Sequence, residues 1–405
     1  MGNGPLTGYK VLDLTQFEAG TVCTETLAWL GAEVWKVERP VVGEQARYTF
    51  EEPGKDGYGF IILNMNKKSI TCNMKTPEGL ALIKKLIAEA DVMIENMGPG
   101  SIERLGLGYD VAKEINPKII YTQIKGFGMD GPYADYPAYN PVAVAMGGLA
   151  AVNGYPDGLP TQCGMDIADS GAGYMAALSI LAAIIQAERE GIGQRIEVTL
   201  QDTVICFGRA LWEPYYNSGK KQPQRVGNGM ALENVAPCNM YKCYPFGDTD
   251  YVQIYCSRRR GSSNFADLCR VMGREDMIDD PRFATPTSRY EYREELDAAI
   301  SEWTAKYDKF TVMDMLCKAD VPAGAVLDCN DITNDEYLLK RGTMLEVEHK
   351  DRGKVRVPGF APRMSENHVE YKVSPGLGEH NEEIYGGLLG LSAKELEELK
   401  EKKVI

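Results

Sequence analysis

Between Tyr9 and Asp202, short apolar runs alternate with longer stretches of helical period. "YKVLDLT", "EVWKVE", "KSITCNM", "DVMIEN" and "KIIYTQIKG" have the length and β-branched content of buried strands. "TVCTETLAWLGA" and "TPEGLALIKKLIAEA" have apolar residues at helical spacing, the second with Thr76 as its expected cap. A long apolar helix is predicted over 171–187, followed by the alternating strand "QRIEVTLQD". This β-α-β rhythm predicts a parallel sheet covered by helices, with ligands at the strand C-termini.

The rhythm breaks over 205–225 in "GRALWEPYYNSGKKQPQ", which reads as a helix leading into a linker. Residues 226–328 mix strands ("YVQIYC") with helices ("SSNFADLCRVMG", "ELDAAISEWTAKY", "TVMDMLCKA"), the pattern of a smaller α+β domain. We therefore expect a large α/β domain over 1–204, a linker over 205–225 and a small domain over 226–328. The remainder, 329–405, then returns to the large domain through "TMLEVEHKDRGKVRVPGFAPRMS" and a charged terminal helix, "SAKELEELKEKKVI".

Charge and composition narrow the function. A net charge of −14 argues against nucleic acid or an anionic membrane as partner, since either needs a basic surface. The longest apolar stretch, about Tyr174 to Ile185, falls short of the ~20 residues of a membrane span. The opening residues lack the basic and apolar regions of a signal peptide, and Leu6 breaks a myristoylation pattern. The expectation is a soluble cytoplasmic protein. Its 10 cysteines form no C-x-x-C pair and no zinc spacing, so they read as reduced thiols, with no metal site. The three histidines all lie beyond residue 348 and no G-x-S-x-G elbow occurs, which leaves little for Ser-His or Cys-His chemistry.

"GFGMDG" (126–131) has the G-x-G-x-x-G spacing of a dinucleotide site, but "PYADYPAYNP" follows it, which is loop rather than helix. Its glycines read better as a loop that approaches something closely. Lys36, Arg39, Lys67, Lys68, Lys75 and Arg104 fall near predicted strand ends, where cations suit phosphate. Arginine matters most for bidentate contact. "RRR" (258–260) reads as a solvated face. "DIADSGAGYMAALSILAAI" puts Asp166 and Asp169 before the long helix, and either could cap it. Small residues around Asp169 leave room for a bulky partner. A carboxylate among exposed helix N–H groups stays ionised and can act as a nucleophile.

Taken in order, "KVLDLTQFEAGTVCTETLAWLGAEVWKVERP", "NMNKKSI", "MKTPEG", "ADVMIENMGPGSIERLG", "INPKIIYTQIKGFG", "DIADSGAG", "GIGQRIEVTLQDTV" and "PGLGEHNEEIYGGLLGLS" resemble the class III CoA-transferase family over nearly the whole chain. The resemblance implies a Rossmann-like large domain whose parallel sheet is formed by both chain ends, a smaller α+β domain, and two open rings interlocked as a homodimer. It implies an acyl-CoA donor and a small carboxylic acid acceptor, with no tightly bound cofactor. Asp169 matches the residue that attacks the thioester, with Asp166 as its structural partner. Arg39, Lys75, Asn96, Met97 and Arg104 match positions that hold CoA, and Glu18 and Ala19 lie near the thioester. Tyr139 and Asn140 match the acyl-substrate site.

Several positions depart from the family's formyl-CoA transferases. These have Gln at Glu18, Tyr at Gly59, Glu at Asn140, and a run of glycines where "MALENVAPCN" stands. These positions surround the acyl groups, so the departures bear on formyl or oxalate specificity more than on CoA transfer itself. One rival within the family is an α-methylacyl-CoA racemase, which needs a histidine where "PAYNP" surrounds Tyr139. Tyrosine, with an ordinary pKa of ~10, is a poor base there. A non-catalytic CoA-binding protein on the same fold is the rival from another class.

Overall fold

The computed structural model describes residues 4–48, 54–230, 234–257 and 261–405. Six parallel strands form the main sheet: β1 (Lys10–Leu14), β2 (Glu33–Glu38), β3 (Lys68–Thr71), β4 (Val92–Glu95), β5 (Ile120–Lys125) and β6 (Gln194–Thr199). Their order is β3-β2-β1-β4-β5-β6. Strands β4 and β5 are buried at every residue, which is why they read as continuous apolar runs rather than as alternation.

Helices connect the strands: α1 (Ala19–Trp29), α2 (Tyr58–Leu63), α3 (Pro77–Glu89), α4 (Ser101–Arg104) and α5 (Tyr109–Ile115), then α6 (Asn140–Met146), α7 (Leu149–Val152), α8 (Ile167–Glu190) and α9 (Leu200–Phe207). Thr76 caps α3, its hydroxyl accepting from Gly79 N. Helix α8 is longer than its apolar stretch suggests: at 24 residues it is long enough to cross a membrane by length and composition. Half of that window is nevertheless buried, as for a core helix.

Strand order reverses direction between β1 and β4. The crevice beyond their C-terminal ends is therefore the switch point where open α/β sheets bind ligands. Asn96, after β4, clamps the loop after β1 across that crevice. Its Oδ1 accepts from Gln16 N (2.9 Å), and its Nδ2 donates to the Gln16 carbonyl (2.8 Å).

All six strands come from the first half of the chain, so the sheet is not formed by both chain ends. The C-terminal part instead covers the β3 edge. His380 N donates to the Ser69 carbonyl, Asn381 Oδ1 accepts from Thr71 N, and Tyr385 Oη donates to the Thr71 carbonyl. Polar side chains and a turn satisfy the edge groups that another strand would have paired. Residues 344–358 form a separate antiparallel hairpin, β10 (Met344–His349) and β11 (Gly353–Pro358), after β7–β9 of the second unit described next.

The chain divides into two units. The first holds Met1–Gly148, Cys163–Phe207 and Glu336–Ile405, and the second holds Leu149–Gln162 and Gly208–Asp335. These bounds differ from the anticipated 205–225 linker and 226–328 domain. The region after Phe207 continues as helical turns, and 149–162, including α7, joins the second unit. That unit has a three-stranded antiparallel sheet, β7 (Cys238–Lys242), β8 (Tyr251–Tyr255) and β9 (Ala323–Ala325), over a core including Leu268, Leu296, Ile300 and Leu316. Positions 231–233 of "MALENVAPCN" and the "RRR" run lie outside the described residues.

Candidate active site

A cavity of about 210 Å³ occupies the switch point. Gln16 to Ala19 line it from the end of β1, Asn96 to Pro99 from β4, Ile124 to Gly126 from β5, and Leu200 from the start of α9. Asp169 enters from the first turn of α8, and Tyr136 to Tyr139 close the side that precedes α6. Four separate βα connections thus converge on one space, as an open parallel sheet requires.

The cap of α8 is neither of the aspartates. Asp166 occupies the N-cap position but makes no side-chain capping bond. Asn140 does this work from α6, its Oδ1 accepting the Ala168 N–H at 2.9 Å. Asn140 is buried and lies outside the cavity lining, so it contacts helix backbone rather than substrate space.

The small residues of "DSGAG" pack helices together. A Cβ on Gly173 would meet the Ala19 carbonyl oxygen at 2.6 Å, and one on Gly171 would meet the Phe207 ring at 2.6 Å. Ala168 and Ala172 are fully buried. Their size lets α8 approach α1 and α9; it is this close approach, rather than free space around Asp169, that brings Asp169 beside the N-terminus of α1.

That approach gathers three carboxylates. Ser170 Oγ donates to Glu18 Oε1 at 2.5 Å, and Glu18 and Asp169 both line the cavity. Burial, with Asp166 adding to it, pushes the Asp169 carboxyl up to about 6. Desolvation and a like charge thus raise it above the ordinary aspartate value, although it lies in the first turn of a helix. Glu18 is pushed up to about 7, first by burial, against the opposing Ser170 hydroxyl, with Asp166 and Asp169 reinforcing the rise.

The anticipated cations separate into two groups. Lys36 lies inside β2, fully buried, and donates to Glu44 (2.6 Å) and the Thr15 carbonyl (2.7 Å). Lys67 pairs with buried Asp13 at 3.3 Å, and Lys68 bonds Glu383 and Glu33. These three hold the sheet's framework. Arg39, Lys75 and Arg104 are exposed, following β2, β3 and β4 respectively, and lie outside the cavity lining. Arg104 reaches the rim, donating to the Pro99 carbonyl (3.2 Å) and Ser101 Oγ (2.9 Å).

Glu18, Ala19, Asn96, Met97, Tyr139 and Asp169 line one cavity; Arg39, Lys75, Arg104 and Asn140 do not. Sequence reasoning missed Lys125, whose ammonium donates to both Glu95 oxygens (2.7 and 2.9 Å) and to the Met97 carbonyl (2.7 Å). A lysine ending an apolar strand was the available signal. Gly126 is the loop glycine that a close approach demands, since a Cβ there would meet Ala138 Cβ at 2.2 Å. No helix begins at Gly131, so the dinucleotide spacing carries no pyrophosphate site.

The model for CoA-transferase family III matches residues 6–381. The formyl-CoA:oxalate CoA-transferase of Streptomyces avermitilis is 38% identical over 414 residues, covering 99% of both chains. The succinyl-CoA–D-citramalate CoA-transferase of Chloroflexus aurantiacus is 36% identical over 408 residues, covering 99% of this chain and 98% of its own. A solved CAIB/BAIF family protein from Brucella suis superposes with a TM-score of 0.85 at 33% identity, covering 95% of this chain and all of that one. Matched along its length in sequence and fold, this chain belongs to CoA-transferase family III and is a CoA-transferase.

Proposed function

We propose that CoA transfer in this protein proceeds covalently through Asp169, between an acyl-CoA and a small carboxylic acid. The observation that carries this reading is a half-buried carboxylate at a helix N-terminus that opens into the switch-point cavity. An Asp169 oxygen attacks the thioester carbonyl carbon, the C–S bond breaks, and CoA leaves as thiolate, giving a mixed anhydride. The thiolate attacks the Asp169 carbonyl of that anhydride and releases the donor acid, leaving an aspartyl-CoA thioester. The acceptor carboxylate then displaces thiolate to form a second anhydride. Thiolate attack on the acceptor carbonyl completes the cycle and restores Asp169. Each nucleophile is already an anion, so no histidine is required, and His349, His368 and His380 lie outside the cavity lining.

Arg39, Lys75 and Arg104 suit the phosphates of CoA, being exposed cations that follow β2, β3 and β4, and Asn96 and Met97 line the cavity itself. The relatives' donors and acceptors, formyl-CoA with oxalate and succinyl-CoA with citramalate, set the class of acid to try first. A homodimer fits the outward stripe of α8, where Tyr174, Leu178 and Ile185 are each more than half exposed. Leu178→Asp is expected to yield monomer in sedimentation velocity; an unchanged dimer would remove that face from the interface.

The deciding experiment is intact-mass analysis after incubation with a panel of acyl-CoA thioesters and hydroxylamine. Trapping of an activated Asp169 adds ~15 Da as the hydroxamate, and Asp169→Ala abolishes it. A competent thioester that leaves Asp169 unlabelled would overturn the reading.

A further inference from the structure

Two carboxylates face one small cavity, and only one of them can be the nucleophile. Glu18 and Asp169 both line it, Ser170 Oγ donates to Glu18 Oε1 at 2.5 Å, and Asp166 adds a third acid at the start of α8. Like charges this close cannot all ionise cheaply in a partly desolvated space. The other ionisable groups of the lining are Lys125, already paired with Glu95 and the Met97 carbonyl, and the phenols of Tyr136 and Tyr139. Tyr174, on α8, faces Glu18 and Glu25 through its electrostatics. None of these supplies a free cation to Glu18.

We propose that Glu18 acts in its protonated form, donating a hydrogen bond to the carbonyl oxygen that gains charge as Asp169 attacks the thioester. The proton stays on Glu18 through the step: the carbon–sulfur bond breaks, the thiolate takes the electron pair, and Glu18 steadies the transient oxyanion. Ser170 holds one Glu18 oxygen and the carboxyl also hydrogen-bonds Asp166, so it does not swing free, and its proton turns from Asp166 to the developing oxyanion. This rests on Asp169 as the nucleophile. Burial raises both carboxyls above their ordinary values, and Glu18 carries the added repulsion of Asp166 and Asp169, which favours its neutral form beside an ionised Asp169. The donor is lost as pH rises and Glu18 ionises.

The test is exchange of labelled free CoA into the thioester that traps Asp169 best, which reads the first half-reaction alone, across pH in wild type and Glu18→Gln. Wild-type exchange should fall about 10-fold per pH unit above the Glu18 ionisation. Glu18→Gln should be a few-fold slower at neutral pH yet exceed wild type by about 10-fold near pH 9, because an amide donates at every pH. Glu18→Ala should be slow throughout, with unchanged circular dichroism. An alkaline limb identical in Glu18→Gln overturns the proposal, as does a folded Glu18→Gln that is dead at all pH, since that would require the ionised carboxylate. If no thioester of the panel labels Asp169 in any variant, the nucleophile assignment fails and the proposal falls with it. Persistent Asp169 labelling with an unshifted pH profile overturns the Glu18 role alone.

Discussion

Asn140 Oδ1 accepts the backbone N–H of Ala168, so the turn that carries Asp169 is capped from a different helix. Both residues are buried, and the bond ties α6 to α8 one residue before the carboxylate. Asn140→Ala leaves a buried N–H without its partner, which costs about 1–2 kcal/mol. Chemical denaturation should show that loss, and kcat should fall more than KM changes, because the proposed nucleophile is displaced rather than the CoA site.

Gly173 allows no side chain. Its missing Cβ would stand 2.6 Å from the Ala19 carbonyl oxygen, a backbone atom that cannot swing aside. Gly173→Ala should therefore push α8 from α1 and destabilise the protein by ~1–3 kcal/mol. Loss of activity in the folded fraction should accompany it, since Glu18 and Asp169 sit at the two helix ends that separate. A variant with wild-type denaturation midpoint and wild-type turnover would count against this packing.

The burial of the Asp169 carboxyl carries a cost in stability. Its folded carboxyl titrates at about 6, above the ordinary aspartate value, because burial opposes the charge. The sign follows: the unfolded chain loses this proton first, so stability is greatest below pH ~4 and declines as pH rises toward 6, then stays flat. Asp169→Asn should abolish transfer while gaining at most ~3 kcal/mol over wild type at neutral pH, less whatever solvent screens at this half-buried site. Tm differences measured between pH 4 and 8 check this; an advantage that shrinks with rising pH would contradict it.

Arg104 tests the CoA site. It is exposed and bonds only the rim of the cavity, so its removal leaves the fold intact. Arg104→Ala should raise KM for acyl-CoA about 5–10-fold with kcat nearly unchanged, the mark of lost uniform binding. The penalty should shrink as salt screens the wild-type contact. Lys75→Ala should act the same way, and a kcat-only effect would place neither residue on the CoA phosphates.

Strand positions were legible because burial on both faces imposes a continuous apolar run. "EVWKVE" predicts β2 to the residue, and the loop chemistry after "GFGMDG" already argued against a dinucleotide site. Capping was less legible. An aspartate before a helix satisfies the local rule, but only the fold reveals that an asparagine 28 residues earlier reaches the same N–H first.

The cations show the same limit. Lys36, Lys67, Arg39 and Arg104 look alike as lysines and arginines near strand ends. Which are sealed against Asp13 and Glu44, and which remain at the surface, depends on where distant carboxylates arrive.

By itself the sequence determined the β-α-β order and the parallel sheet, because periodicity and turn chemistry are local. Tertiary structure alone decided that the C-terminal part covers the β3 edge without adding a strand. It also turned the small residues around Asp169 to helix packing and set Glu18 beside Asp169. Pairing of residues some 150 positions apart is a matter of close approach between helices, which no local pattern encodes.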